Sequence, residues 1–278
     1  MSKTISAVRR ELGHHGVASG DAELLLANVT GRNTAWLRAN DDAEITDAMA
    51  ATYASYIERR AKGEPVAYIV GSAGFHGHTL HVDPNVLIPR PETEHLVDDA
   101  LEHLSQWDGV RALDIGTGSG AIACALAARL PGAFIHATDA SPEALLVALQ
   151  NAMRLGVERR VQFFLGDLAG PVNGKRYDVI VANLPYVPTA DIPMPPDPVS
   201  FEPRLALDGG PDGLDVYRRL LEEVPYMFVP GGILYLEAAP PTIGTLVQLT
   251  ATRFFDSEVT VCLDYAGLER YVKVRTPG

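Results

Sequence analysis

The hydrophobic rhythm of the chain changes twice. Over the first stretch, apolar residues recur at helical spacing, as at Ile5, Val8 and Leu12. Asp21 is placed to cap a helix over Ala22–Val29, with Gly31 just past its end. Asp47 is placed to cap another through Ile57 to Lys62, stopped by Gly63 and Pro65. Between about residues 66 and 90 the apolar runs shorten. Tyr68-Ile69-Val70 and Thr79-Leu80-His81-Val82, set among Gly71, Gly74 and Gly77, predict short strands joined by turns. Pro91, followed by Glu92 and Glu94, opens a helix through Leu96, Val97, Ala100, Leu101 and Leu104. Proline suits the first turn, and the acids favour its positive end.

From Val110 onward, compact apolar runs alternate with helical ones. Strands are predicted at Val110–Asp114, Phe134–Asp139, Val161–Leu165, Tyr177–Ala182, Ile233–Glu237, Glu258–Leu263 and Arg270–Arg275. Helices are predicted at Ala121–Leu130, Pro142–Leu155, Leu214–Phe228 and Ile243–Phe254. This alternation predicts an α/β fold with a mostly parallel sheet covered on both faces.

Length and composition narrow the picture. The 278 residues allow a large domain with a smaller one, and 47% hydrophobic content is ample for a core. A formal net charge of −12 disfavours general nucleic-acid binding, which rests on Lys and Arg neutralising phosphates. Cys124 and Cys262 each sit in an apolar segment and read as reduced core thiols; no Cys/His cluster points to a metal. His14 and His15 are adjacent, hence on different helix faces, and read as solvated. The first twelve residues are mixed and charged, unlike a signal segment, and no apolar run reaches membrane-spanning length. A soluble, cytoplasmic protein is expected.

The candidate chemistry lies where the predicted strands end, which is where open α/β sheets bind ligands. Asp114 ends the first strand and runs into Gly116-Thr117-Gly118-Ser119-Gly120, whose glycines let the backbone turn and approach a ligand. Asp139 ends the second strand about 20 residues further on, the separation of an acid that binds a ribose diol. Asp167-Leu168, past the third, are placed to reach an adenine ring. This set also fits the dinucleotide pattern, which keeps an NAD enzyme open. The stretch Asn183-Leu184-Pro185-Tyr186 follows the fourth strand. Pro185 biases Leu184 to an extended conformation, setting its carbonyl beside the Asn183 amide. Two acceptors and an aromatic ring would suit an –NH2 group on a flat substrate. Those acceptors, with Asp114 placed to face a cationic methionine moiety, favour S-adenosyl-L-methionine. The same residues also read as a plain turn.

These motifs coincide with a family. The chain resembles the bacterial peptide chain release factor N5-glutamine methyltransferases over nearly its whole length. The resemblance rests on Gly63 to Ile69, Leu87-Ile88-Pro89-Arg90-Pro91-Glu92-Thr93-Glu94, Leu113 to Ala121, Phe201 to Leu207 and the tail Asp264-Tyr265-Ala266-Gly267. The Pro-Arg-Pro-Glu-Thr-Glu and Phe-Glu-Pro stretches are specific to it; the glycine loop is not. The resemblance implies a Rossmann-like class I methyltransferase sheet of seven strands over 91–278, a helical substrate-recognition domain over 1–70 and a β-hairpin linker over 71–90. It implies methyl transfer from S-adenosyl-L-methionine to the side-chain amide nitrogen of the Gln in the Gly-Gly-Gln motif of class I release factors. A monomer that binds neither nucleic acid nor membrane is expected. Cofactor binding then falls to Asp114, Gly116, Thr117, Gly118, Ser119, Gly120, Asp139, Asp167, Leu168 and Asn183, and catalysis to Asn183, Leu184, Pro185 and Tyr186. The sequence departs twice. Leu184 stands where the family usually has Pro, and Glu237 runs into Ala238-Ala239-Pro240-Pro241 where Glu, an apolar residue and Gly are usual. Asn-Leu-Pro-Tyr is also how adenine dimethyltransferases write this motif, so an adenine N6-methyltransferase acting on RNA or DNA is the alternative.

Overall fold

The computed structural model describes residues 3–12, 16–104, 107 and 109–278. The His14-His15 pair lies outside them. The chain forms two compact units, Met1–Ser72 with Pro193–Phe201, and Ala73–Ile192 with Glu202–Gly278.

The smaller unit is helical: α1 (Ile5–Leu12), α2 (Ser19–Thr30), α3 (Thr34–Ala39), α4 (Asp47–Ala61) and α5 (Val66–Val70), with short strands β1 (Lys3–Thr4) and β2 (Glu44–Ile45) paired antiparallel. Ile5, Leu25, Leu26, Leu37 and Ile57 form its buried centre. Thr46, not Asp47, caps α4, accepting from the Met49 N–H. Asp21 lies inside the first turn of α2 and accepts from Arg60 Nε at 2.7 Å. Helix α3, capped by Asn33, escaped prediction because six residues carry too little periodicity. Val66–Val70 is a helical turn, not the expected strand. The Pro65 carbonyl accepts from the Tyr68 and Ile69 N–H groups, and Gly71 closes the turn in the left-handed region. End chemistry there outweighs the strand preference of its β-branched residues. The stretch 193–201 passes so close to Gly63 that a Cβ there would clash with the Pro196 carbonyl.

The larger unit opens with a hairpin, β3 (Ser72–Phe75) and β4 (His78–His81), and α6 (Pro91–Leu104). Then come β5 (Arg111–Ile115), α7 (Ala121–Arg129), β6 (Phe134–Asp139), α8 (Pro142–Arg154), β7 (Val161–Leu165) and β8 (Tyr177–Ala182). It ends with α9 (Asp215–Glu223), β9 (Phe228–Glu237), α10 (Pro240–Arg253), β10 (Glu258–Leu263) and β11 (Glu269–Arg275). Seven strands form one sheet in the order β10-β11-β9-β8-β5-β6-β7, parallel except for β11, which runs antiparallel to both neighbours. Helix α9 is shorter than predicted because Pro225, within a 3-10 turn, ends it.

Alternation along the strands sorts the core onto two faces. Ala112, Val179 and Val181 pack with α6 and α7, while Leu113, Ile115 and Ile180 pack with α9 and α10. The hairpin belongs to this core: Phe75 and Leu80 are buried against α6, and the Asn151 side chain bonds the His81 N–H at 2.7 Å and its carbonyl at 2.9 Å. Strand order reverses between β5 and β8, and the crevice past their carboxyl ends is where a ligand belongs. No helix among the described residues is long and apolar enough to cross a membrane.

Candidate active site

In the β5–β8 ladder Ile115 faces Ala182, so the glycine loop and Asn183 leave the sheet side by side. The loop is held by backbone bonds: Gly116 and Thr117 both donate to the Thr138 carbonyl, at 2.9 and 3.0 Å. Gly116 has φ +72°, and a Cβ there would meet the Leu184 side chain at 2.8 Å. Both facts require glycine. A cleft opens here, lined by Gly116 to Ser119, Asp139, Asp167, Leu168 and Asn183 to Pro185.

Asp139 lines it and braces it. Its carboxylate accepts from the Gly118 N–H at 2.8 Å and the Ser141 N–H at 2.9 Å, and burial pushes its pKa up. Each oxygen keeps acceptor capacity for a further hydroxyl. Asp114 differs from expectation. It lies behind the cleft, buried, with Oδ2 accepting from the Thr117 hydroxyl at 2.6 Å and the Ala123 N–H at 3.0 Å. Burial raises its pKa to about 6. Its two bonds join the loop to the start of α7. Gly120 also stands outside the lining, pressed to Ala148. Asp167 lines the cleft but forms an ion pair with Arg219, a lining residue that sequence reasoning missed. Leu168 takes a positive φ of 45°.

The opposite wall comes from the two specific motifs. Arg90 Nη2 donates to Glu202 Oε1 at 2.6 Å, and the Ile88 N–H donates to Glu202 Oε2 at 3.1 Å. The stretches 87–94 and 202–207 are thereby pinned to each other, and Arg90, Thr93 and Leu205 reach the cleft.

Asn183 Nδ2 donates to Thr93 Oγ1 at 3.1 Å, and both side chains lie beside the buried Glu237 carboxyl and act to lower its pKa. With its –NH2 turned to Thr93, the amide keeps Oδ1 as its accepting end. The Leu184 N–H donates to Tyr217 Oη at 3.1 Å, and that hydroxyl donates to the Glu237 backbone carbonyl. Leu184 is buried and lines the cleft, as does Pro185. Tyr186 is outside the lining, packed against the core shared with α9 and α10, and burial raises its pKa. Thr93 and Glu237 were missed as site residues. Their signals were present, since Thr93 falls in a specific motif and Glu237 ends a predicted strand.

Known proteins are similar to this chain. Residues 4–71 match the family described as PrmC N-terminal domain, and residues 96–192 the one described as Methyltransferase small domain. A release factor glutamine methyltransferase of Moorella thermoacetica is 43% identical over 250 residues, 90% of this chain and 88% of that protein. One of Deinococcus radiodurans is 42% identical over 259 residues, 93% of this chain and 91% of that protein. The chain belongs to the release factor glutamine methyltransferase family. The family's Rossmann-like class I sheet is present with all seven strands. Among solved structures, the Thermus thermophilus 16S rRNA N2 G1207 methyltransferase, in complex with AdoMet and guanosine, shares this fold. Its TM-score is 0.54 at 20% identity, over 74% of this chain and 50% of that one.

Proposed function

We infer that this chain transfers a methyl group from S-adenosyl-L-methionine to the side-chain amide nitrogen of the Gln in the Gly-Gly-Gln motif of class I release factors. The observation that carries the reading is the fixed Asn183 amide at the cleft, in a chain so closely related to release factor glutamine methyltransferases.

The cleft fits the cofactor. Asp139 retains acceptor capacity for two ribose hydroxyls, Gly118 leaves open space above the loop, and Asp167 and Leu168 lie at the end suited to an adenine ring. When bound, the cofactor supplies a methyl group already activated on a sulfonium. The chain's own task is positioning. Asn183 Oδ1 and the Leu184 carbonyl accept the two N–H groups of the substrate amide and aim its nitrogen at the methyl. An amide nitrogen is a weak nucleophile because its lone pair is delocalised. Accepting both hydrogen bonds stabilises the positive charge that develops on it. The released proton passes to water. Tyr186 stiffens the motif from behind. Residues 1–70 recognise the folded release factor, 71–90 link, and 91–278 hold the chemistry. The enzyme acts as a monomer in the cytoplasm.

Mass spectrometry of release factors incubated with the enzyme and isotopically labelled cofactor tests this. One labelled methyl on the Gly-Gly-Gln glutamine is expected. Label on adenine of RNA or DNA, with none on that glutamine, would assign the alternative substrate.

A further inference from the structure

We propose that Glu237 is a positioning residue that decides which end of the Asn183 amide faces the cleft. The inference rests on the reading of Asn183 as the acceptor of the substrate –NH2.

Glu237 ends β9, the strand paired with β8, where Leu236 faces Ala182 in register. Its side chain therefore lies next to Asn183, one residue beyond a paired position on each strand. It is 3% exposed and lies beside Thr93 and Asn183, while its Oε2 has no hydrogen-bond partner among the described residues. An ionised carboxylate can only accept. It therefore holds the –NH2 end of Asn183 inward and leaves Oδ1 outward. A neutral carboxyl has an O–H and can donate to Oδ1. The amide can then turn end for end, showing –NH2 to the substrate –NH2, donor against donor.

The surroundings place this change near working pH. Burial, with the charge of Glu92 on α6, raises the Glu237 pKa to about 7. Thr93 on α6, Arg270 on β11 and Asn183 act in the other direction. The phenols of Tyr186, after β8, and Tyr217, on α9, are raised by burial, so both are neutral across this range. Arg270 is itself held by Asp264 at 2.8 Å. Glu237 is thus mostly neutral below pH 7 and mostly ionised above it, so turnover should rise with pH.

The test is kcat from about pH 6 to about pH 8.5 for the wild type, E237Q, N183A and the double variant. It is run on whichever substrate the wild type methylates, with calorimetry of the demethylated cofactor alongside. The wild-type kcat should climb about tenfold with its midpoint near the Glu237 pKa. E237Q keeps the volume but can donate or accept at any pH. Its profile should be flat, about tenfold below the wild-type plateau, with product affinity unchanged within a few fold. The double variant should match N183A, since Glu237 acts only through that amide. N183A with Glu237 intact should also lose the pH step, a check that needs no Glu237 variant to fold. A step that persists in N183A or in E237Q, or a double variant about tenfold worse than N183A, would overturn the proposal. Failure of the release-factor reading would show separately, as absence of label on glutamine in the wild type.

Discussion

Asp114 and Glu237 make an instructive pair. Each lies at the end of a strand flanking β8 or one residue before it, each is buried, and each has an oxygen without a hydrogen-bond partner among the described residues. Their partners differ. Asp114 is held by Thr117 and Ala123, within nine residues of it in the chain. Glu237 lies beside Thr93 from α6 and Asn183 after β8, which bond each other. One carboxyl shapes a single loop; the other joins three distant segments. Local bracing serves a loop that must keep its form, while long-range bracing serves a side chain that must present one end.

Four outcomes would break or sharpen that contrast. The largest effect is expected for Asn183→Ala: kcat should fall by about a hundredfold or more, with cofactor affinity within a few fold. Unchanged methylation of the release-factor glutamine by this variant would remove the loop from the chemistry. Next, a chain beginning at Ala73 should bind cofactor almost normally yet lose turnover on a folded release factor. The cut must precede Phe75 and Leu80, which are core residues of the larger unit. Full turnover without the helical unit would refute its recognition role.

Leu184→Pro should cost about 1–3 kcal/mol of stability in denaturant unfolding. It keeps the carbonyl but removes the N–H that Tyr217 accepts and a buried leucine packed on Gly116. Sequence alone makes this change look nearly neutral; the Tyr217 bond is why it is not. Its kcat should fall far less than that of Asn183→Ala. The smallest effect concerns Asp114. Its folded pKa of about 6 lies above the ordinary 3.8, so the fold favours its neutral form. That contribution is complete below the ordinary value and is lost as pH rises through about 6. Asp114→Asn cannot ionise. From about pH 4 to about pH 6 the wild type should lose about 1–3 kcal/mol relative to it. Parallel stability curves would mean that the carboxyl is ionised throughout.

What could be read from the sequence follows the same division. The strand–helix alternation, the glycine loop and the Asn183 stretch are local signals, and they predict the sheet and the crevice. Tyr68-Ile69-Val70 misled because its fate depends on Pro65 and Gly71 at its ends. A strand-end acid such as Asp114 carries no sign in the sequence of which way it turns. Thr93 and Asn183 are 90 residues apart, and nothing in either segment announces the other. Only the β5–β8–β9 strand order brings them together with Glu237.

The Arg90–Glu202 pair has a consequence for inheritance. The Glu202 side chain is 1% exposed and sits on Arg90 from 112 positions away in the chain. Losing Arg90 leaves the buried Glu202 without its counter-charge, and losing Glu202 leaves a 29% exposed arginine without its partner; the cost is below the ~3–5 kcal/mol of a fully enclosed pair. Neither half can drift alone. The two stretches should therefore pass through descent as one unit, and a relative that has lost the arginine should have lost the glutamate too.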